Sequence, residues 1–463
     1  MTVAEAGNLM AGKHDNSGFD LASIGAKLQG NAGQRFWRGL EELGASSGYR
    51  DSVEHEFPRD PGKEAGAVSR RDVLRWMGAS AAFAGLTACT KLPTEKIVPY
   101  VTPPEELIPG KPLFYATAMP LGGFATGVLV ESHMGRPTKV EGNPDHPASL
   151  GATDVFAQAS VLTLYDPDRS KVVILNGRIG SWSDFLATIG LARQEHLRRK
   201  GEGLRILTET VTSPTLADQL RALLAQFPAA KWHQYEPAGR DSAREGARLA
   251  FGQYVNTVYR FEQADAILAL DADFLCSGPG AVRYARDFAD RRRVTGPGST
   301  MSRLYAVESM LTNTGAMADH RLPLRSGDIK DFARAVAYGV GVKGVTPPAA
   351  PSKFPAGWIA ALVRDLEAHR GSSIVIAGDT QPGEVHALAH AMNQALGNAG
   401  KTAFYTDPVE ANPTNQMESL RELVTDMRSG RVDTLVILGG NPVYTAPADL
   451  DLAQALLKVN LRI

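Results

Sequence analysis

Four short apolar runs, Leu204-Arg205-Ile206-Leu207, Ala266–Leu270, Ser373–Ala377 and Thr434–Leu438, recur along the chain from residue 204 onward. A run of about five residues without polar alternation is a strand buried on both faces, and such strands need helices above and below. The intervening sequence supplies them. Ser213 and Pro214 form an N-cap and first-turn pair that opens an amphipathic helix to about Phe227. The Gly278-Pro279-Gly280 turn precedes a helix from about Ala281 to Arg293, and another runs from Gly383 to about Leu396, before a strand at Thr402–Tyr405. The expected fold class is therefore α/β, with Rossmann-like parallel sheets and helices on both faces. At 463 residues, 43% of them apolar, the chain has material for two such lobes. The Gly/Pro/Ala-rich stretch 341–355 divides them into an α/β lobe at 171–340 and a second at 356–463 that reads as incomplete at its C-terminal end. Ahead of both, the Val, Leu and Thr residues between glycine turns from Phe114 to Val140 mark a small β-rich region, placed at 113–170.

A formal net charge of −1 gives no basic surface for nucleic acid. The two cysteines, Cys89 and Cys276, are too few and too far apart for a cysteine-based metal motif. The N-terminal portion carries an address instead. Ser69-Arg70-Arg71-Asp72-Val73-Leu74 stands before the apolar run Trp76 to Ala88, about 13 residues long against the roughly 20 that span a bilayer. This reads as a twin-arginine export signal at 69–89, centred on Arg70 and Arg71. Leu86-Thr87-Ala88-Cys89 fits a lipoprotein processing box, so Cys89 is the expected lipid attachment point; a chance cysteine after an Ala-rich run is the alternative. Before the signal lies an extension, 1–68, with Phe36, Trp37, Leu40 and Leu43 at helical spacing; after it, 90–112 is too proline-rich for helix or central strand and should run extended.

The stretch from Glu131 to Arg169 resembles the opening of a molybdopterin-dependent oxidoreductase. In that superfamily two strands, a Gly-Arg turn and a Gly-Asn-Pro turn wrap an iron–sulfur cluster. Gly135-Arg136-Pro137 and Gly142-Asn143-Pro144-Asp145-His146-Pro147 match this frame, yet neither Phe114–Gly127 nor Gly151–Asp154 contains a thiol. Such clusters are normally held by four thiolates, so none is expected in this chain. Three further segments narrow the resemblance: Glu95-Lys96-Ile97-Val98-Pro99-Tyr100, Tyr165-Asp166-Pro167-Asp168-Arg169-Ser170, and Val436-Ile437-Leu438-Gly439-Gly440-Asn441-Pro442. With the late twin-arginine signal and the helix Val385–Gly397, they make the chain similar to the N-terminal, cofactor-free half of the B subunit of alternative complex III.

That resemblance implies a molybdopterin-oxidoreductase-like fold without its cofactor, in a periplasmic, membrane-associated complex that oxidises quinol and reduces cytochrome c or a high-potential iron–sulfur protein. It implies iron–sulfur clusters in an adjoining chain or a C-terminal portion beyond Ile463, and haem c and quinol-binding membrane subunits as partners. The ending Lys458–Ile463 reads as a core strand, which fits a cluster-bearing remainder elsewhere.

Candidate site residues within the chain are few, and none is assigned a catalytic role. His386 and His390 are one helical turn apart, a spacing that can place two imidazoles on one metal, but Ala387 stands where a zinc-protease motif has Glu and no third ligand follows; a structural pair is expected. Gly439, Gly440 and Asn441 follow a predicted strand, where an α/β sheet opens its ligand crevice, and are the vestigial cofactor-binding candidates; a tight turn is the plainer reading. Asp271 and Asp273 read as helix caps, Cys276 as a small buried thiol, and His133 and His146 as side chains bonding backbone beside glycine turns. Three functions remain open: a cofactor-free scaffold for an electron-transfer module, a genuine molybdopterin-dependent oxidoreductase subunit, and an exported lipoprotein that binds a small ligand.

Overall fold

The computed structural model describes residues 107–108, 110–347 and 354–463. The extension 1–68, the Arg70-Arg71 signal, Cys89 and most of 90–112 lie outside the described residues, as does the middle of the 341–355 stretch.

The described chain opens on a three-stranded antiparallel sheet, β1 (Leu113–Leu121), β2 (Phe124–His133) and β3 (Arg136–Gly142). A short helix α1 (Val155–Ala159) packs on it, capped by Asp154, whose carboxylate accepts the Ala157 N–H at 2.7 Å. A small hairpin, β4 (Val173–Leu175) and β5 (Arg178–Gly180), leads into α2 (Trp182–Arg198), which opens on a capping box between Ser181 and Asp184.

Two parallel four-stranded sheets follow. Chain order gives β6 (Leu204–Thr208), α3 (Pro214–Gln226), β7 (Lys231–Gln234), α4 (Asp241–Phe251), β8 (Asn256–Tyr259), β9 (Ala266–Leu270), α5 (Ala281–Arg291), β10 (Arg303–Glu308), α6 (Asn313–Ala316), β11 (His320–Pro323) and α7 (Ser326–Gly339). It continues through α8 (Ala356–Ala368), β12 (Ser373–Ala377), α9 (Gly383–Ala395), β13 (Ala403–Thr406), α10 (Gln416–Arg428), β14 (Thr434–Leu438), α11 (Pro442–Thr445), α12 (Leu452–Leu456) and β15 (Leu461–Arg462). One sheet has the order β11-β10-β9-β12, the other β15-β14-β6-β7, and every pairing within them is parallel.

The burial of β9 shows why its sequence is unbroken by polar residues. Ala266, Leu268 and Leu270 face a core built with Ile329, Phe332, Leu362 and Met392, whereas Ile267 and Ala269 face Phe261, Phe274 and Phe288 on the other side. Both faces are covered by helices, as the all-apolar run requires. The second sheet does the same on a smaller scale: Leu207 and Leu435 pack with α10 and α12, and Ile206 with Ala217 and Leu220 of α3. The fold is thus α/β, with a small antiparallel sheet preceding Rossmann-like parallel sheets.

Two expectations are corrected. The sheets do not divide at 341–355: β12 pairs with β9 from the other side of that stretch, and β14 with β6, so each sheet draws strands from both expected lobes. Parallel pairing forces long crossovers, and here the crossovers carry the chain from one sheet to the other and back. The strand expected at Thr402–Tyr405 forms as β13 but lies outside both parallel sheets, paired antiparallel with β8.

Candidate functional site

The carboxyl ends of β9, β10 and β12 open into a crevice of about 460 Å³ covered by α4 and β8, the place where open α/β sheets bind ligands. Its rim is set by close backbone approach. A Cβ on Gly378, just past β12, would come 1.8 Å from the carbonyl oxygen of Asp271, so only glycine fits. Asp271 itself is left-handed, with φ of 52°, a strained conformation that its side chain helps to hold: its carboxylate accepts the Ser309 N–H at 2.9 Å and the Gln381 amide at 2.9 Å. Asp273 accepts both the N–H and the hydroxyl of Thr314, at 2.9 and 2.7 Å. Both aspartates therefore act much as caps do, but on elements brought in by the fold rather than on the helix that follows them; Asp273 satisfies an orphan donor at the start of α6.

Cys276, expected to be buried, is exposed, because the chain leaves the sheet after Leu270 and turns over Asp273 on its way to α5. Gly280, at φ of 81°, caps α5 as the turn sequence suggested.

His386 and His390 of α9 line this crevice. Each is only 6% exposed. Their burial follows from two glycines: a Cβ on Gly246 in α4 would come 2.2 Å from the Cβ of His386, and one on Gly383 would come 2.9 Å from Glu245. Helices α4 and α9 thus lie backbone to backbone, and burial pushes the pKa of each imidazole down to about 4. The backbone at Gly378 and Gln381 meets the His386 ring, and His390 packs against the rings of Phe251 and Tyr405. Yet Nε2 of His386 and Nδ1 of His390 have no hydrogen-bond partner. Among the described residues no three His, Cys, Asp or Glu side chains converge on a metal position, so the pair lacks the third ligand that its spacing invited.

The charge lining the crevice is acidic. Four carboxylates, Asp271, Asp273, Asp379 and Glu410, face it with two guanidinium groups, Arg240 and Arg244. Both arginines are committed: Arg240 binds Asp379 at 3.0 Å, and Arg244 grips Glu410 through two bonds of 2.9 and 2.8 Å and Asp241 through a third.

At the second sheet the Gly439-Gly440-Asn441 turn stands at the end of β14, with φ of 75° and 65° at its glycines. Only about 10 Å³ of open space remains there, room for one water at most. Glu209, at the end of β6, fills it: its carboxylate oxygens lie 3.2 and 3.0 Å from where Cβ atoms would stand on Gly439 and Gly440. Asn441 turns back to cap α11, accepting the Tyr444 N–H at 3.3 Å. Close by, burial and the Glu209 charge raise the pKa of Glu236. Nothing in the sequence linked Glu209 or Glu236 to this turn.

The Gly-Asn-Pro turn behind β3 is held by direct packing. Asn143 accepts the Asp145 N–H at 3.0 Å, and its own N–H donates to the Gly127 carbonyl at 3.1 Å. His146 accepts the Ala148 N–H at 3.3 Å and lies so close to β2 that a Cβ on Gly127 would be 2.2 Å from its ring. His133, expected to bond backbone, instead meets the Glu131 carboxylate at 2.8 Å, two residues back along the same strand.

No family model matches the chain. A curated relative does match in part. The likeness is to a subunit of a menaquinone reductase. The molybdopterin-binding-like subunit of that enzyme from Nitratidesulfovibrio vulgaris (strain Hildenborough) is 28% identical over 242 residues, which is 50% of this chain and 33% of the relative. The chain thus spans about a third of the length of that relative along the matched part. Among solved structures, acetylene hydratase from Pelobacter acetylenicus superposes with a TM-score of 0.51 at 13% identity, covering 73% of this chain and 58% of the hydratase. At that identity the likeness speaks for the fold alone, an α/β arrangement of parallel sheets and helices as expected from the sequence.

Proposed function

We propose that this chain is a cofactor-free, molybdopterin-oxidoreductase-like portion of a membrane-bound quinone-linked oxidoreductase, and that it scaffolds an electron-transfer module carried by other parts of the complex. The partial relative is itself named as a subunit of a menaquinone reductase, which supports a place in respiratory electron transport. The finer assignment, the B subunit of alternative complex III with a quinol-to-cytochrome c direction, rests on the sequence segments Glu95–Tyr100, Tyr165–Ser170 and Gly439–Pro442. Export through Arg70-Arg71 and membrane attachment at Cys89 belong to the same reading.

The observation that carries the proposal is the acidic character of both strand-end crevices. A pterin dinucleotide brings a pyrophosphate, which needs donor-rich backbone or free cations. Here Glu209 already lies on the Gly439–Gly440 turn. The other crevice presents four carboxylates, and its two arginines are spent on three acids. A dianion would meet like charge at each end, so the residues present do not fit that cofactor. The thiol-free frame around Asn143 points the same way, since His146 and Ser149 occupy the space against β2. Apolar side chains exposed along 113–191, among them Phe114, Phe156, Ile179, Trp182 and Leu191, are of the kind that an assembled complex covers.

The test is the metal and pterin content of the purified full-length chain, together with its migration when membranes are solubilised. The reading expects no iron, molybdenum or oxidised-pterin fluorescence in the chain, and co-migration with a haem-containing, quinone-reactive complex. Stoichiometric molybdenum or pterin would make the chain an enzyme subunit in its own right and overturn the scaffold reading.

A further inference from the structure

We propose that the crevice at the ends of β9, β10 and β12 binds a small organic cation bearing N–H donors, of the amidinium or protonated aromatic-amine class. Three independent features converge there. The first is an unsatisfied acceptor. His386 is 94% buried, by its 6% exposure, lines the cavity, and leaves Nε2 without a partner. With its other nitrogen turned to the backbone at Gly378 and Gln381, the neutral ring presents Nε2 as a bare acceptor, and a buried acceptor left empty costs desolvation that a ligand N–H recovers. His390, equally buried, repeats the arrangement with an unpartnered Nδ1 one turn further along α9.

The second feature is charge. Arg240 and Arg244 are neutralised within the wall, so Asp271 and Asp273 supply the net field of the crevice. Asp273 uses one oxygen on Thr314 and has the other free to accept. The third is shape. At about 460 Å³ the cavity suits a molecule of one or two rings, and the aromatic residues Phe274, Tyr259 and Tyr284 form part of its wall. A planar cation seated in the crevice would direct N–H groups to the Asp273 carboxylate and toward the His386 side of the wall. The inference depends on the crevice alone and stands or falls separately from the place of the chain in a complex.

Benzamidine, benzamide and benzoate share one shape and differ in charge, which makes them suitable probes for titration of the full-length chain by calorimetry, with the imidazole Cε1–H signals followed by NMR. Inorganic pyrophosphate serves as the dianion. Benzamidine should bind saturably and move the His386 signal, benzamide should bind at least about tenfold more weakly, and benzoate and pyrophosphate should not compete. Asp273→Asn keeps an acceptor for Thr314, so the rim should stay intact while benzamidine affinity falls about tenfold. Unchanged thermal stability of Asp273→Asn would show that the loss is one of binding. The proposal is overturned if benzamidine fails to bind, if benzoate or pyrophosphate binds as well as benzamidine, or if benzamidine binds without moving His386 and without sensing Asp273→Asn.

Discussion

Acidification from about pH 7.5 to about pH 5 should destabilise this protein through two histidines. His386 and His390 are each 6% exposed, and burial lowers their pKa from 6.5 to about 4. Between those values the unfolded chain binds more protons than the folded one, so folding stability is fully present above pH 6.5 and is lost as the pH falls toward 4. At about pH 5 the unfolded rings lie 1.5 pH units below their own pKa, which at about 1.36 kcal/mol per unit is about 2 kcal/mol for each ring and about 4 kcal/mol for both. The rings are neighbours on one helix, and the charge of His386 itself lowers the pKa of His390, so the two titrate as a pair.

Other groups overlap this window and have to be separated from it. His233 is also lowered by burial and works in the same sense. Glu236 and Asp287 are raised, chiefly by burial, and oppose it, because their folded forms hold a proton longer than the unfolded chain does. The lowered acids Asp319, Asp365 and Asp426 lose their contribution only below their ordinary value of 3.8. The diagnostic quantity is therefore the difference between the native chain and a double variant, His386→Asn with His390→Phe, in urea unfolding at the two pH values. The native chain should lose about 4 kcal/mol more than the variant on acidification. Equal losses in both proteins would refute the argument, since they would place the pH dependence in groups other than this pair.

Two further outcomes follow from the packing. Asp426, 1% exposed, binds Arg205 at 2.6 Å, and Arg205 is itself 5% exposed. Asp426→Ala strands a buried guanidinium and should cost about 3–5 kcal/mol in denaturant unfolding, whereas a loss below about 1 kcal/mol would mean that water reaches Arg205. Asn143→Ala removes the side-chain acceptor of the Asp145 N–H that shapes the turn behind β3, and His146→Ala removes the ring packed on β2 at Gly127. Both should lower recovery of the assembled complex while leaving the absorption spectrum of the isolated chain unchanged, and a spectral change with normal assembly would count against the scaffold reading.

What the sequence disclosed follows from how local each signal is. β9 is an apolar run that only a doubly covered strand tolerates, and it forms at Ala266–Leu270 as expected. Ser213-Pro214 is a cap and a first-turn proline, both local, and α3 begins there, with Ser213 accepting the Leu216 N–H. Strand order is not local. Nothing in Ser373–Ala377 says that β12 will pair with β9 rather than begin a sheet of its own. The site was partly legible for the same reason. The turn Gly439-Gly440-Asn441 was visible as a turn, but its filling by Glu209 arises from pairing between β14 and β6, 230 residues apart along the chain. The spacing of His386 and His390 was visible; that one nitrogen of each ring would be buried without a hydrogen-bond partner was not. One signal could have hinted at it. Gly246 stands in the middle of α4, where glycine costs a helix about 1 kcal/mol relative to alanine and so marks a close approach.

That glycine ties the architecture to the proposed role. With no side chain at Gly246, α4 can lie against Gly383 and His386, and the contact closes the crevice on the side facing α9. Closing it strips water from the two imidazoles and keeps them neutral. Neutral imidazoles leave Asp271 and Asp273 uncompensated, while Arg240 and Arg244 stay locked in wall pairs. Freeing either arginine for a phosphate would leave Asp379 or Glu410 without its partner, and for Arg244 and Glu410, each 10% exposed, that means an unpaired buried charge. Recruitment of a dianion would thus have to dismantle the wall that forms the crevice. The strand-end opening of the α/β sheet is thus kept, with carboxylates facing it and its arginines held in the wall.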